Sequence, residues 1–335
     1  MKYTHLGRTG LKVSRLCLGT MNFGPQTDER AAFAIMDRAL DDGVNFFDTA
    51  NVYGGRGTAP EHTGWTEEIL GRWFAQGGGR RESVVLATKV YGDMGDPLDG
   101  PNDASGLSAF KIRRSIDASL RRLQTDHVEL YQMHHIARHA PWDEIWGAFE
   151  AIVAAGKVYY VGSSNFGARH LAYAQAAAAS RHFLGLVSEQ HKYSLVCRLP
   201  ELEVLPAATE LGLGVVPWSP LGGGLLSGHV FDPVPSGRTP TRAQDGASRL
   251  TPAERDQLTA FGELCAELGE SQSNVALAWL LANPAVTAPI IGPRTLDQFT
   301  DSLRAVDIAL DGPTLARLDE LFPGPGGEAP EAYAW

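Results

Sequence analysis

The stretch "LDDGVNFFDTANVYGG", residues 40–55, carries the pattern on which the fold turns. A run with helical spacing, Asp28–Asp41, stops just before Gly43, where a left-handed glycine commonly ends a helix. Val44–Asp48 then reads as a short apolar strand, but it ends in a carboxylate. Beyond it lies a Gly-rich segment carrying Tyr53. Helix, glycine, buried strand, then a polar strand end and a loop form the repeating unit of an alternating α/β protein.

Working outward, the same unit recurs along the chain. Apolar runs of strand length fall at Arg15–Gly19, Val44–Asp48, Val84–Lys89, Val128–His134, Val158–Gly162, Gly185–Gln190, Gly214–Trp218 and Val286–Ile291. Helix-like segments separate them at Asp28–Asp41, Thr66–Ala75, Ser108–Leu123, Trp142–Ala155, Ala168–Ala179, Glu201–Leu211 and Ser273–Ala282, and a last one starts at Leu296. Gly156 and Gly212 repeat the stop seen at Gly43. Eight strands alternating with eight helices predict a parallel sheet closed as a (β/α)8 barrel. The rival is a doubly wound open sheet, which normally shows a Gly-rich turn after its first strand; "LGTMNFG" lacks that pattern. An N-terminal hairpin turning between Gly7 and Gly10, and an extra helix near Thr251–Leu268, are added to the bare repeat. Long loops follow strands 2, 3 and 7, at Gly54–Gly64, Tyr91–Gly106 and His229–Gln244, and a tail runs from Phe322 to Trp335. All of residues 1–335 are expected to form one domain.

Bulk composition narrows the partners. A net charge of -10 argues against nucleic acid, which needs a basic footprint. The apolar stretches are too short to span a bilayer, and residues 1–10 carry no leader-like run, so a cytoplasmic location is expected. Cys17, Cys197 and Cys265 are odd in number and widely spaced, which predicts buried, reduced thiols.

In a barrel the C-terminal strand ends converge on one mouth. Here they are Gly19-Thr20, Asp48, Lys89, His134, Ser164-Asn165, Gln190, Trp218-Ser219 and Gly292 through Arg294. A buried charge is tolerated when paired, so Asp48 and Lys89 on adjacent strands are expected to meet. A Tyr53 hydroxyl beside that ammonium would have its pKa lowered, and a phenol tuned in this way can donate and accept a proton.

These residues resemble the aldo-keto reductases. "FFDTANVYG", "LATKV", "ELYQMHH", "VGSSNF", "SEQHKYSL", "WSPLGGGLLSG" and "IIGPRTLDQFTDSL" match the family's motifs in order over nearly the whole chain. The resemblance implies reduction of a small-molecule carbonyl with NADPH, through a tetrad of Asp48, Tyr53, Lys89 and His134. It further implies that Ser164, Asn165 and Gln190 hold the nicotinamide carboxamide and that Trp218 stacks on the ring. Backbone amides of Ser219, Leu221 and Gly223 would meet the pyrophosphate, Arg294 the 2'-phosphate, and Gln298, Asp301 and Ser302 the adenosine. Gly19, Thr20, Met21, Pro220, Leu225 and Gly292 complete the implied cofactor contacts. Phe23, Trp65, Tyr91 and His135 join Tyr53 and His134 as expected substrate contacts. The sequence departs from the family at Asp301-Ser302, where Glu-Asn is commoner, and at Asn51, where many relatives carry Asp.

Other readings accompany these. Asp48 and Lys89 could form a purely structural ion pair, and Lys89 could form a Schiff base. His134, His135 and His139 invite a zinc reading, but strand alternation would send His134 and His135 to opposite faces, so no metal is expected. His135 either lines the substrate pocket or caps its strand. A different class, a redox-sensing partner subunit that binds NADPH and turns over slowly, also fits, although no partner-binding appendage is expected before the hairpin.

Overall fold

The computed structural model describes residues 1–55, 62–95, 100–232 and 242–326. Parts of the three long loops expected after strands 2, 3 and 7, and most of the expected tail, lie outside the described residues. A two-stranded antiparallel hairpin, β1 (Tyr3–His5) and β2 (Lys12–Ser14), turns between them as expected. Eight parallel strands follow: β3 (Cys17–Gly19), β4 (Phe46–Asp48), β5 (Val85–Val90), β6 (Val128–Met133), β7 (Val158–Ser164), β8 (Leu186–Gln190), β9 (Gly214–Val215) and β10 (Ile290–Ile291). They are ordered β10-β3-β4-β5-β6-β7-β8-β9, so each strand pairs with its neighbour in sequence and the last returns to the first. Val215 also bridges in parallel to Val286, and Thr287 N donates to Val215 O at 2.8 Å, which brings the two sheet ends together. The architecture is the (β/α)8 fold.

The last two barrel strands are shorter than the sequence suggests. Pro217 interrupts the expected run Gly214–Trp218, and Pro289 the run Val286–Ile291. Each proline lacks the N–H that a ladder needs, so pairing there is carried by single bonds such as Ile290 N to Pro217 O, 2.8 Å. β6 likewise stops at Met133, one residue before His134.

The helices α1 (Glu29–Asp41), α2 (Trp65–Phe74), α3 (Ala109–Leu123), α4 (Trp142–Ala154), α5 (Ala168–Ser180) and α6 (Val204–Glu210) alternate with these strands. Then come α7 (Arg242–Ala247), α8 (Pro252–Leu268), α9 (Gln272–Ala282), α10 (Leu296–Ser302) and α11 (Gly312–Leu321). Asp28, Ser108, Thr251 and Ser271 cap their helices by accepting a backbone N–H. Gly43, Gly156 and Gly212 end three of them with φ of 80°, 72° and 67°, the role read for them from the sequence. The final helix expected from Leu296 is broken in two, because Asp311 caps a new start and Pro313 occupies its first turn. Among the described residues no helix is long and apolar enough to cross a membrane.

Strand alternation divides the core. Leu18, Phe47, Leu86 and Tyr131 pack outward against the helices, whereas Cys17, Phe46, Val85, Ala87 and Leu130 fill the barrel interior. Leu6 and Val13 of the hairpin segment join the inner cluster. The interior is therefore apolar low in the barrel and turns polar two residues further along the same strands, at Asp48, Lys89 and Gln132. Cys17 and Cys265 are buried free thiols, but Cys197 is only half-buried, contrary to the expectation for it.

Candidate functional site

β4 and β5 pair Asp48 with Ala87, which leaves Lys89 one inward step above the carboxylate. The Lys89 ammonium is wholly buried and donates to Asp48 Oδ1 at 2.5 Å, Thr49 O at 2.8 Å and Tyr53 Oη at 3.1 Å. All three ammonium donors are thus matched with acceptors. Burial alone would push the Lys89 pKa down; Asp48 and Tyr53 more than offset it, and the group stays protonated above the usual lysine range. The short loop after β4 folds Tyr53 back over this ammonium, with Lys89 Nζ 4.8 Å from the ring centre. The His134 ring meets Tyr53 edge-on at 6.0 Å. The four residues expected as a tetrad are brought together at one end of the barrel.

The sequence reading missed Gln132. It pairs with Lys89 across β5 and β6, and its Nε2 donates to Asp48 Oδ2 at 2.9 Å. Gln190 Nε2 donates to the same oxygen at 2.8 Å and to Gln132 Oε1 at 3.2 Å. The signal was present: Gln132 lies two residues before His134 and therefore shares its strand face. Thr20, just after β3, adds two further bonds, its N and Oγ1 both donating to the Asp48 carbonyl.

His134 and His135 do not diverge as strand alternation suggested. β6 has ended, and the two rings stack in parallel, 5.2 Å apart and 8° from coplanar. Both line a cavity of about 370 Å³ whose walls also include Val52, Thr63, Asp93, Met94 and Ser105. That is a volume suited to a small molecule. His135 is thereby a pocket residue rather than a strand cap, and Tyr91 packs edge-on against it. Two other expected substrate contacts lie elsewhere. Phe23 is completely buried in the outer core, and Trp65 packs on that core with its ring against His62. Among the described residues no cluster of His, Cys, Asp and Glu is arranged to hold a metal ion. Asn51, where many relatives carry Asp, is fully buried, and neither the nitrogen nor the oxygen of its side-chain amide has a partner among the described residues.

The implied cofactor residues line the other half of the mouth. Ser164 pairs with Gln190 across β7 and β8. Asn165 follows with φ of 61° and joins its neighbours: Nδ2 donates to Ser164 Oγ and to His134 O, and Oδ1 accepts from Trp218 Nε1 at 3.1 Å. Asn165 is thus bonded to Ser164 and Trp218, and Gln190 to Asp48, so the set is preformed. Trp218 keeps part of its ring exposed, with Lys192 Nζ 5.9 Å from the ring centre.

In the following turn Ser219 and Gly222 through Gly224 all have positive φ, and the Gly222 and Gly224 amides donate within the turn to Ser219 O and Leu221 O, each at 2.9 Å. A Cβ on Gly222 would stand 2.4 Å from Val196 Cγ2, so a side chain there would have to displace Val196. Leu221 and Leu225 pack on the core and Pro220 is buried. The Gly223 amide already donates to Ser219 Oγ at 2.9 Å. Met21 is exposed, Gly19 is buried in β3, and Gly292 O accepts from Asn22.

The Arg294 side chain is exposed, while its backbone N–H is fixed by Gln298 Oε1. Asp301 is exposed, but the Ser302 hydroxyl is bonded back to Gln298 O at 2.8 Å and so is engaged within its own helix. The part-exposed Trp218, the Asn165 and Gln190 amides and the exposed Arg294 are groups that could hold a nicotinamide cofactor.

Comparison with known proteins places this site in context. Residues 15–322 match the model described as "Aldo/keto reductase family". The chain is 63% identical over 335 residues to "Uncharacterized oxidoreductase YrpG" of Bacillus subtilis (strain 168), covering 100% of both. It is 34% identical over 314 residues to "Probable voltage-gated potassium channel subunit beta" of Arabidopsis thaliana, covering 92% of each chain. It is 31% identical over 349 residues to "Aldo-keto reductase AMT2" of Alternaria alternata, covering 96% of this chain and 91% of the other.

Proposed function

Because this chain belongs to the aldo/keto reductase family, we propose that it reduces a small aldehyde or ketone to the alcohol with NADPH. The observation that carries the reading is the Lys89 ammonium held between Asp48 Oδ1 and Tyr53 Oη beside His134, at the edge of a small-molecule cavity. The bound nicotinamide would supply hydride to the carbonyl carbon; the protein's own residues handle the charge that develops on oxygen.

Tyr53 is the general acid. Its hydroxyl contacts an ammonium that cannot leave, and a neighbouring positive charge favours the phenolate left after the proton is given up. Asp48 fixes Lys89 and is itself fixed by Gln132 and Gln190, so the ammonium has no freedom to swing away. His134 contributes a ring nitrogen to orient the carbonyl oxygen, and His135 extends that polar wall into the cavity. Ser164, Asn165, Gln190 and Trp218 would receive the nicotinamide, the 219–224 turn the pyrophosphate, and Arg294 the 2'-phosphate.

A second reading has a specific observation behind it, the likeness to a protein named as a channel beta subunit. On that reading the chain binds NADPH, turns over slowly and reports redox state to a partner. One experiment separates the two. The protein is titrated with NADPH while tryptophan fluorescence is followed, and absorbance at 340 nm is then recorded with a panel of aldehydes, ketones and dicarbonyls. Quenching together with rapid decay on some carbonyl is expected. Quenching with no decay on any of them would favour the sensor, and no quenching would sink both.

A further inference from the structure

Glu189 is a buried carboxylate that the proposed chemistry does not use. It precedes Gln190 in β8 and therefore faces away from the barrel interior. Three donors from three places converge on it. Oε2 accepts from Ser163 Oγ at 2.5 Å, and Oε1 accepts from Phe166 N and His191 Nδ1, each at 2.9 Å. Burial raises the Glu189 pKa, and these three donors restrain the rise. Complete burial means that water cannot replace a lost partner, so the geometry is held firmly.

The anchoring points bracket the nicotinamide set. Ser163 and Phe166 flank Ser164-Asn165, and Glu189 and His191 flank Gln190. The fourth member is tied to the same staple, since Trp218 N donates to His191 O at 2.9 Å. Asn165 N donates to Gln190 O at 3.1 Å, across the gap that the carboxylate spans. Asn165 is also held in the left-handed region, where a non-glycine residue needs outside support.

We propose that Glu189 is a positioning residue: through Ser163, Phe166 and His191 it sets the wall that receives the nicotinamide. The inference rests on the reading of Ser164, Asn165, Gln190 and Trp218 as the cofactor wall. Its role is geometric, acting through hydrogen bonds on residues that touch the cofactor. Loosening it should cost cofactor affinity while leaving proton transfer by the Lys89–Tyr53 pair largely in place.

The test measures NADPH dissociation constants by fluorescence quenching, kcat at saturating NADPH, and Tm, for Glu189→Ala, Glu189→Gln and Ser163→Ala. Glu189→Ala should weaken NADPH about tenfold or more, with kcat falling less than about threefold. Glu189→Gln keeps an acceptor for Phe166 and His191 and can donate to Ser163 Oγ, so it should recover affinity to within about threefold of wild type. Should Glu189→Ala fail to fold, Ser163→Ala carries the decision, with an affinity loss of about threefold or more expected. A folded Ala variant whose affinity stays within about twofold of wild type, whatever its Tm, overturns the positioning role. So does a Glu189→Gln variant as weak as Glu189→Ala. Wild-type protein that fails to bind NADPH overturns the cofactor reading, and this proposal with it.

Discussion

Two fully buried carboxylates stand on opposite faces of the barrel wall, and their surroundings differ. Asp48 faces inward and is paired with an ammonium, with two side-chain amides completing its shell. Glu189 faces outward and is held by a hydroxyl, a peptide N–H and an imidazole. Both are satisfied, but only Asp48 is matched by a permanently charged partner. A buried ion pair fixes charge where a reaction needs it, whereas a hydrogen-bonded staple fixes shape. On the proposed function, one half of the mouth serves proton chemistry and the other holds a flat ligand.

Breaking the charged half should have the largest effect. Lys89→Met leaves Asp48 buried without its cation, which costs about 3–5 kcal/mol of stability. It should also lower kcat/KM by about a thousandfold or more, because Tyr53 loses the charge that stabilises its phenolate. Denaturant unfolding and steady-state kinetics check the two effects. An unaltered midpoint would mean that the pair does not constrain the site as its geometry indicates.

Tyr53→Phe separates charge from chemistry within the same half. The ring and its packing over Lys89 remain, so Tm should stay within a few degrees while kcat falls about 10²- to 10⁴-fold. NADPH affinity should be nearly unchanged in a quenching titration. Near wild-type turnover would show that another group supplies the proton.

The cofactor half is probed next. Arg294→Ala should weaken NADPH by about 10- to 100-fold and leave NADH almost unaffected, as loss of a charge-assisted contact to a 2'-phosphate requires. Equal losses for both nucleotides would place Arg294 away from that phosphate. A control lies outside both halves: Thr251→Ala removes the capping box of α8, for a Tm decrease of about 2–4 °C with kinetics unchanged. Glu254 is held below the usual carboxylate range by Thr251. This part of the stability is present above the ordinary glutamate pKa and is lost as pH falls through the lowered value; in Thr251→Ala the loss on acidification should be smaller.

Much of the fold was legible because each barrel strand announces itself twice, by an apolar run and by the glycine or loop that bounds it. The meeting of Asp48 and Lys89 was legible for a related reason, since charged residues that end apolar strands have few places to go except one another. Gln132 escaped because it lies inside a run read as uniformly buried. Glu189 escaped because its donors come from Ser163, Phe166 and His191, none of which is unusual in its own segment. The stacking of His134 on His135 could not be foreseen while strand alternation was extended past His134, because the strand end at Met133 decides it. Phe23 looked like a pocket residue from its place after β3, yet the chain turns it into the outer core.

By itself the sequence determined the order of strands and helices, the inward positions at the strand ends, and the meeting of Asp48, Tyr53 and Lys89. Local periodicity and the cost of an unpaired buried charge are enough to fix those. Only the tertiary structure decided which groups complete the shells of Asp48 and Glu189, and which residues after β3 and β6 enter the cavity. It also decided that two short, proline-interrupted strands bring the ends of the sheet together. Those outcomes depend on distances between segments far apart in the chain, and a one-dimensional pattern encodes no such distance until packing imposes it.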